Sequence, residues 1–199
     1  LPAVPTIDDI RAAAARIAPH AQITPLLTSP ALNARAGGRV LLKAEVLQHT
    51  GSFKLRGALN RLLQLTDDER SRGVVAYSWG NHAQAVAYSA SLLGVRSVII
   101  MPKDAPALKI ERTRAFGGEV VLYDRYTEDR VAIGSAIAQE HGLTILPPFE
   151  DRHIVAGQGT LALEALTLYH AAGERDSHER EQQAAKARPR LELIEGGMP

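Results

Sequence analysis

The sequence predicts an α/β protein built mainly on parallel strands, and three observations carry that expectation. Short apolar, β-branched runs alternate with longer helix-like segments, glycines such as Gly73, Gly94 and Gly117 punctuate the turns, and the alternation persists through the middle of the chain. In order, residues 40–46 read as a strand and residues 53–65 as a helix. Residues 73–78 form the next strand. Residues 81–93 follow as a helix whose Ala83, Val86, Ala87, Ala90 and Leu93 make an apolar stripe at helical spacing. Residues 97–101 (strand), 107–116 (helix), 119–123 (strand), 128–140 (helix) and 144–146 (short strand) continue the series. A helix over residues 160–172 closes the regular part. Residues 173–190 are charge-rich, from Glu174 and Arg175 to Arg188 and Arg190, and read as an exposed helix or a disordered connector. Residues 191–194 are expected to be one more strand.

At 199 residues the chain suits one large domain or two small ones. An apolar fraction of 45% is ordinary for a globular protein, and a formal charge of +1 gives no electrostatic reason to expect nucleic acid or an anionic membrane. With no cysteine there is no disulfide, thiolate nucleophile or thiolate metal site. No basic-then-apolar leader opens the sequence and no apolar run approaches a membrane span, so a cytoplasmic protein is the expectation. The first residue is Leu rather than Met, so processing, trimming or a fragment all stay open. The histidines other than His82 show no ligand spacing, and no metal is inferred.

The most informative segment is Thr50-Gly51-Ser52-Phe53-Lys54-Leu55-Arg56-Gly57-Ala58. Ser52 reads as an N-cap, which puts Lys54 in the first helical turn. Unpaired N–H groups and the helix dipole there disfavour an ammonium, so a lysine amine is freed for attack on an aldehyde. A surface lysine at a helix start is the plain alternative, and position alone does not separate the two. A second segment, Ser78-Trp79-Gly80-Asn81-His82-Ala83, lies where a strand gives way to a helix. Its free N–H groups suit a carboxylate, or it is simply a turn with a capping asparagine. Gly157-Gln158-Gly159-Thr160 reads as a strand-to-helix turn with Thr160 as its cap, in preference to an anion loop. Asp67-Asp68-Glu69 reads as a solvated helix face.

The full strings carry more than their positions. The lysine segment resembles the Schiff-base motif of the fold type II pyridoxal-phosphate enzymes, in the branch of threonine/serine dehydratase (threonine ammonia-lyase) and serine racemase. Lys43, Glu45 and Gln48 before it, and Thr24-Pro25-Leu26 nearer the start, resemble the same branch. The resemblance runs from about Ile23 to about Ala172, roughly half of a typical member.

It implies a type II fold. Residues 67–145 would form a small domain, and residues 1–66 and 146–199 an incomplete large, cofactor-binding one. It implies pyridoxal 5'-phosphate as cofactor, with Lys54 as the catalytic, Schiff-base lysine and Phe53 beside it. Asn81 would bind the cofactor's ring oxygen, and Ser78, Gly80, Asn81 and His82 would hold the substrate carboxylate. The implied reaction is deamination of L-threonine or L-serine to a 2-oxo acid and ammonia. A hydroxyaspartate dehydratase, a serine racemase and a weakly active or non-catalytic remnant are the alternatives. The implied partner is a small amino acid, and a homo-oligomer is left open. Trp79 stands where the family has a small residue; in serine racemases a serine there moves the second proton, which tryptophan cannot do. Either its bulk obstructs the substrate or it packs in the small-domain core. The family's glycine-rich phosphate loop is matched only weakly, by Gly196-Gly197, so weak cofactor binding is expected.

Overall fold

A computed structural model describes residues 4–186, with side chains through Gly173; the expected strand at 191–194 and the Gly196-Gly197 pair lie outside them. Its helices are α1 (Ile7–Ile17), α2 (Pro30–Ala36), α3 (Lys54–Leu62), α4 (Asp67–Arg72), α5 (Asn81–Leu92), α6 (Ala107–Ala115), α7 (Arg130–His141) and α8 (Arg152–Lys186). The strands are β1 (Leu26–Thr28), β2 (Leu41–Lys43), β3 (Val74–Tyr77), β4 (Ser97–Pro102), β5 (Glu119–Tyr123) and β6 (Thr144–Ile145). Among the described residues, those up to Ala165 form one compact unit and those from Leu166 a second. No described helix is long and apolar enough to cross a membrane.

The expected α/β alternation is present. Strands β3 to β6 make a four-stranded sheet, parallel throughout, in the order β5-β4-β3-β6; β1 and β2 form a separate antiparallel pair. Central β4 is buried at every residue, as a parallel strand covered on both faces should be, whereas β5 at the edge is mostly half-buried or exposed. Side chains alternate between the faces: Val74, Ala76, Ile99 and Met101 pack with α5, while Val75, Val98 and Ile100 pack towards α7. Helix α5 is buried from His82 to Ala87 and again at Ser89 and Ala90. Its small alanines let it fit closely between sheet and neighbouring helices. Capping boxes, Thr6 with Asp9 and Thr66 with Glu69, start α1 and α4.

Three expectations need correction. The 40–46 strand is only Leu41–Lys43, and Glu45–Leu47 is a short 3-10 turn that buries Glu45. Ser52 does not cap α3: Phe53 is the cap residue, and the buried Ser52 hydroxyl has no hydrogen-bond partner among the described residues. Residues 157–160 are not a turn but lie inside α8, which starts at Arg152. Asp151 Oδ1 caps that start by accepting from the His153 and Ile154 N–H groups. Two glycines suggest a helix break by propensity, but tertiary packing overrides it. A Cβ on Gly157 would meet Arg56 O at 2.5 Å and Gly57 Cα at 2.7 Å, so α3 and α8 cross with their backbones nearly touching. Beyond Gly173, of the two readings offered for the charged stretch, helix is the one found, as far as Lys186.

Candidate active site

A cavity of about 470 Å³ opens at the carboxyl ends of the parallel strands, a volume in the range of small-molecule sites. Every loop leaving those ends contributes. Tyr77 ends β3 and Ser78 to His82 follow it, Pro106 and Lys109 follow β4, Arg130 follows β5, and Pro148 and Phe149 follow β6; Lys54 completes the lining from α3. The chain steps from β3 to β4 to β5 in one direction and then crosses to β6 on the far side of β3. The crevice at such a reversal is where open parallel sheets bind ligands, because neighbouring loops diverge there.

Most of the residues singled out by sequence therefore meet. Lys54, Ser78, Trp79, Gly80, Asn81 and His82 share one cavity; Phe53 stays outside its lining, with the Lys54 Nζ 5.4 Å from its ring centroid. Lys54 Nζ donates to Pro148 O at 3.0 Å. Burial pushes the Lys54 ammonium below the ordinary lysine range, so desolvation, where the helix dipole was expected, is what frees the amine. In the loop after β3, Gly80 N–H donates to Ser78 Oγ at 3.3 Å. Asn81 opens α5 and is exposed.

His82 is buried, and its Nε2 lies 3.2 Å from Leu146 O. A carbonyl only accepts, so Nε2 carries the hydrogen. Nδ1 is then a bare acceptor, and it has no partner among the described residues. Burial, aided by the Lys54 charge and opposed by the Leu146 hydrogen bond, pushes the His82 pKa down to about 4. Between the ordinary histidine pKa of 6.5 and this folded value, the unfolded chain holds the extra proton. His82 therefore lowers stability as pH falls through that window, by roughly 3 kcal/mol at about 1.4 kcal/mol per unit. A His82→Gln variant is expected to lose that part of the acid sensitivity, read from urea midpoints at pH 7 and pH 4.5. An unchanged pH slope would contradict the assignment.

The lysine motif has a second, structural layer. The Arg56 guanidinium is buried and donates to both Glu45 oxygens at 2.8 Å and to Glu164 at 3.0 and 3.1 Å. Lys43 also pairs with Glu164, and Thr24 Oγ1 donates to Glu45. Two cations face two carboxylates, so the cluster is neutral. Burial alone would push Glu45 up, but its bonds from Arg56 and Thr24 and the Lys43 charge outweigh burial and hold it below the ordinary carboxylate range. The motif's Lys43, Glu45 and Arg56 thus anchor the start of α3 to β2 and α8, which fixes where Lys54 points. Glu164 was not singled out by sequence, and neither were Lys109, Arg130 and Pro148.

The residues present fit an aldehyde-bearing anionic cofactor. The cavity offers an amine of lowered basicity for the aldehyde and the cationic side chains of Lys109 and Arg130 for the anion, and no Asp or Glu is among its lining residues. The family of pyridoxal-phosphate-dependent enzymes matches residues 17–178. The chain belongs to that family. It is 49% identical over 163 residues to an L-threo-3-hydroxyaspartate ammonia-lyase of Saccharomyces cerevisiae, covering 82% of this chain and 50% of that one. It is 46% identical over 174 residues to a serine racemase of Schizosaccharomyces pombe, covering 87% and 53%. Among solved structures, a T.th. threonine deaminase superposes with a TM-score of 0.77 at 46% identity, covering 85% of this chain and 53% of that one. The fold is the family's type II fold. The chain spans about half the length of the curated relatives it matches.

Proposed function

We propose that the protein deaminates L-threonine or L-serine to a 2-oxo acid and ammonia, using pyridoxal 5'-phosphate held by Lys54. The observation that carries this reading is the meeting of a desolvated lysine amine with the Ser78 to His82 loop in one cavity at the sheet's carboxyl end. When bound, the cofactor supplies the electron sink for the charge left at the substrate Cα. Lys54 and Asn81 would hold it, with Phe53 beside Lys54. The first-turn N–H groups of α5 have no acceptors within the helix, and with the Ser78 hydroxyl they receive the substrate carboxylate. His82 contributes through its backbone N–H, since its ring is neutral and its only ring N–H is directed at Leu146 O. Once the substrate amine has taken its place, the freed Lys54 Nζ takes the Cα proton; the β-hydroxyl leaves as water with a proton returned by that ammonium, and water then hydrolyses the dehydrated product to the 2-oxo acid and ammonia. Racemisation is disfavoured, because Trp79 offers no second proton-transfer group.

The same reading divides the chain into a small domain at 67–145 and parts of a large one at 1–66 and 146–199. The four-stranded sheet, which lies wholly between Val74 and Ile145, supports that division. The proposed reaction further takes the cytoplasm as its compartment and free amino acids as its substrates.

A second reading, 3-hydroxyaspartate as substrate, is favoured by one observation. Lys109 and Arg130 line the cavity with Lys54, while the nearby carboxylate of Asp129 is engaged in capping Val131 N–H and that of Glu128 accepts from Asp124 N–H. Surplus positive charge suits a second substrate carboxylate. The test is 2-oxo acid formation from L-threonine, L-serine and L-threo-3-hydroxyaspartate with added cofactor. Turnover of either hydroxy-monocarboxylate supports the first reading, and turnover of hydroxyaspartate alone supports the second. Serine racemisation without any 2-oxo acid would overturn both.

A further inference from the structure

Trp79 is the only tryptophan in the chain and is 54% exposed, so it is not the core residue that its type would suggest. The Arg125 guanidinium carbon lies 4.9 Å from the indole centroid. Arg125 is itself fixed: its Nε donates to Asp104 Oδ1 at 2.9 Å, and its Nη2 pairs with Asp104 Oδ2. The turn that carries Arg125 is braced, with Tyr126 N–H donating to Asp124 Oδ1 at 3.0 Å and Glu128 N–H to Asp124 O at 2.8 Å. An indole from the loop after β3 thus packs against an arginine from the loop after β5, which an aspartate from the loop after β4 holds in place. A planar guanidinium can make the forked carboxylate pair and stack on a ring at once, which a lysine cannot.

A second cavity, of about 440 Å³, lies beside the Lys54 cavity and is lined by Pro102, Tyr123, Arg125, Glu128 and Asp129. Among the described residues, only Trp79 and Arg130 line both. We propose that Asp104 and Arg125 form a clamp that holds the Trp79 indole as a wall between the two cavities, so that Trp79 sets how large a substrate side chain the Lys54 cavity admits. This rests on the reading of that cavity as the catalytic one. Arg125 is a positioning residue that acts through the indole, and Trp79 is the residue that determines specificity. With a small residue at position 79 the two spaces would join.

The clamp is tested without cofactor, because all tryptophan fluorescence comes from Trp79. Arg125→Ala is expected to raise acrylamide quenching about two-fold and to lower the fluorescence anisotropy, with little change in thermal midpoint. Arg125→Lys should recover little of either. Unchanged quenching and anisotropy in Arg125→Ala would overturn the clamp. The wall is tested by reductive alkylation of Lys54 with propanal and with a ring-bearing aldehyde, using borohydride and peptide mapping. Trp79→Ala should raise the ratio of bulky to small label on Lys54 by at least about ten-fold, and Arg125→Ala by a smaller factor in the same direction. An unchanged ratio in Trp79→Ala would overturn the wall. Both readouts stand apart from the catalytic assignment, whose failure would show separately as no attachment of pyridoxal phosphate to Lys54.

Discussion

Replacing Lys54 by alanine is expected to abolish covalent retention of pyridoxal phosphate and to reduce 2-oxo acid formation by on the order of 1,000-fold or more. The fold should survive. Among the described residues Lys54 Nζ makes one hydrogen bond, to Pro148 O, and burial disfavours its charge, so removing it relieves a desolvation cost while exposing little apolar surface. Lys54→Arg should fail as fully as alanine, because a guanidinium stays protonated and can neither attack an aldehyde nor accept the Cα proton. The lowered basicity of the amine also fixes a pH dependence. As pH rises, Lys54 should become reactive toward aldehydes before the exposed lysines do. Reaction rates measured from pH 7 to pH 10, with label counted by site, check this. Lys54 reacting no earlier than other lysines would show that burial does not perturb it.

The largest effect on stability is expected from Arg56. In Arg56→Met, Glu45 and Glu164 keep their charges but lose four hydrogen bonds from one guanidinium, all of them at 3.1 Å or less. Lys43 alone remains to neutralise them. Removing one partner of a buried ion cluster costs about 3–5 kcal/mol, which is on the order of 10 °C in thermal midpoint for a chain of this size. The loss should be smaller at low pH. Glu45 has a folded pKa below its unfolded one, so its contribution is full above the ordinary carboxylate pKa and fades as pH falls through the folded value. Urea unfolding at pH 7 and pH 4 measures both effects. A destabilisation below about 1 kcal/mol at pH 7 would mean that the cluster is not an anchor.

The parallel sheet was the most legible part of this sequence. Central β4, buried on both faces, shows as a continuous apolar run and was found at Ser97–Pro102, and edge strand β5 was found at the residues expected, Glu119–Tyr123. The elements before residue 40 were not anticipated. Helix α2 buries none of its residues and β1 has only three, so neither leaves a strong apolar pattern. The start of α8 was misplaced because Gly157 and Gly159 suggest a turn, whereas Gly157 is there to let α3 approach. Ser52 had the residue type of a cap without its geometry.

Within the site, Lys54 and the Ser78 to His82 loop could be found because each lies in a contiguous string. Glu164 could not: it lies 108 positions from Arg56, and only folding brings them together. The grip of Arg125 on Trp79 was hidden for the same reason, since it joins three separate loops.

The most direct measurement is to reduce the unmodified protein with borohydride in the presence of pyridoxal phosphate and map the pyridoxyl-bearing peptide. One label, on the peptide containing Lys54, is the result that this account predicts. Label found reproducibly on another lysine, with Lys54 free, would contradict it.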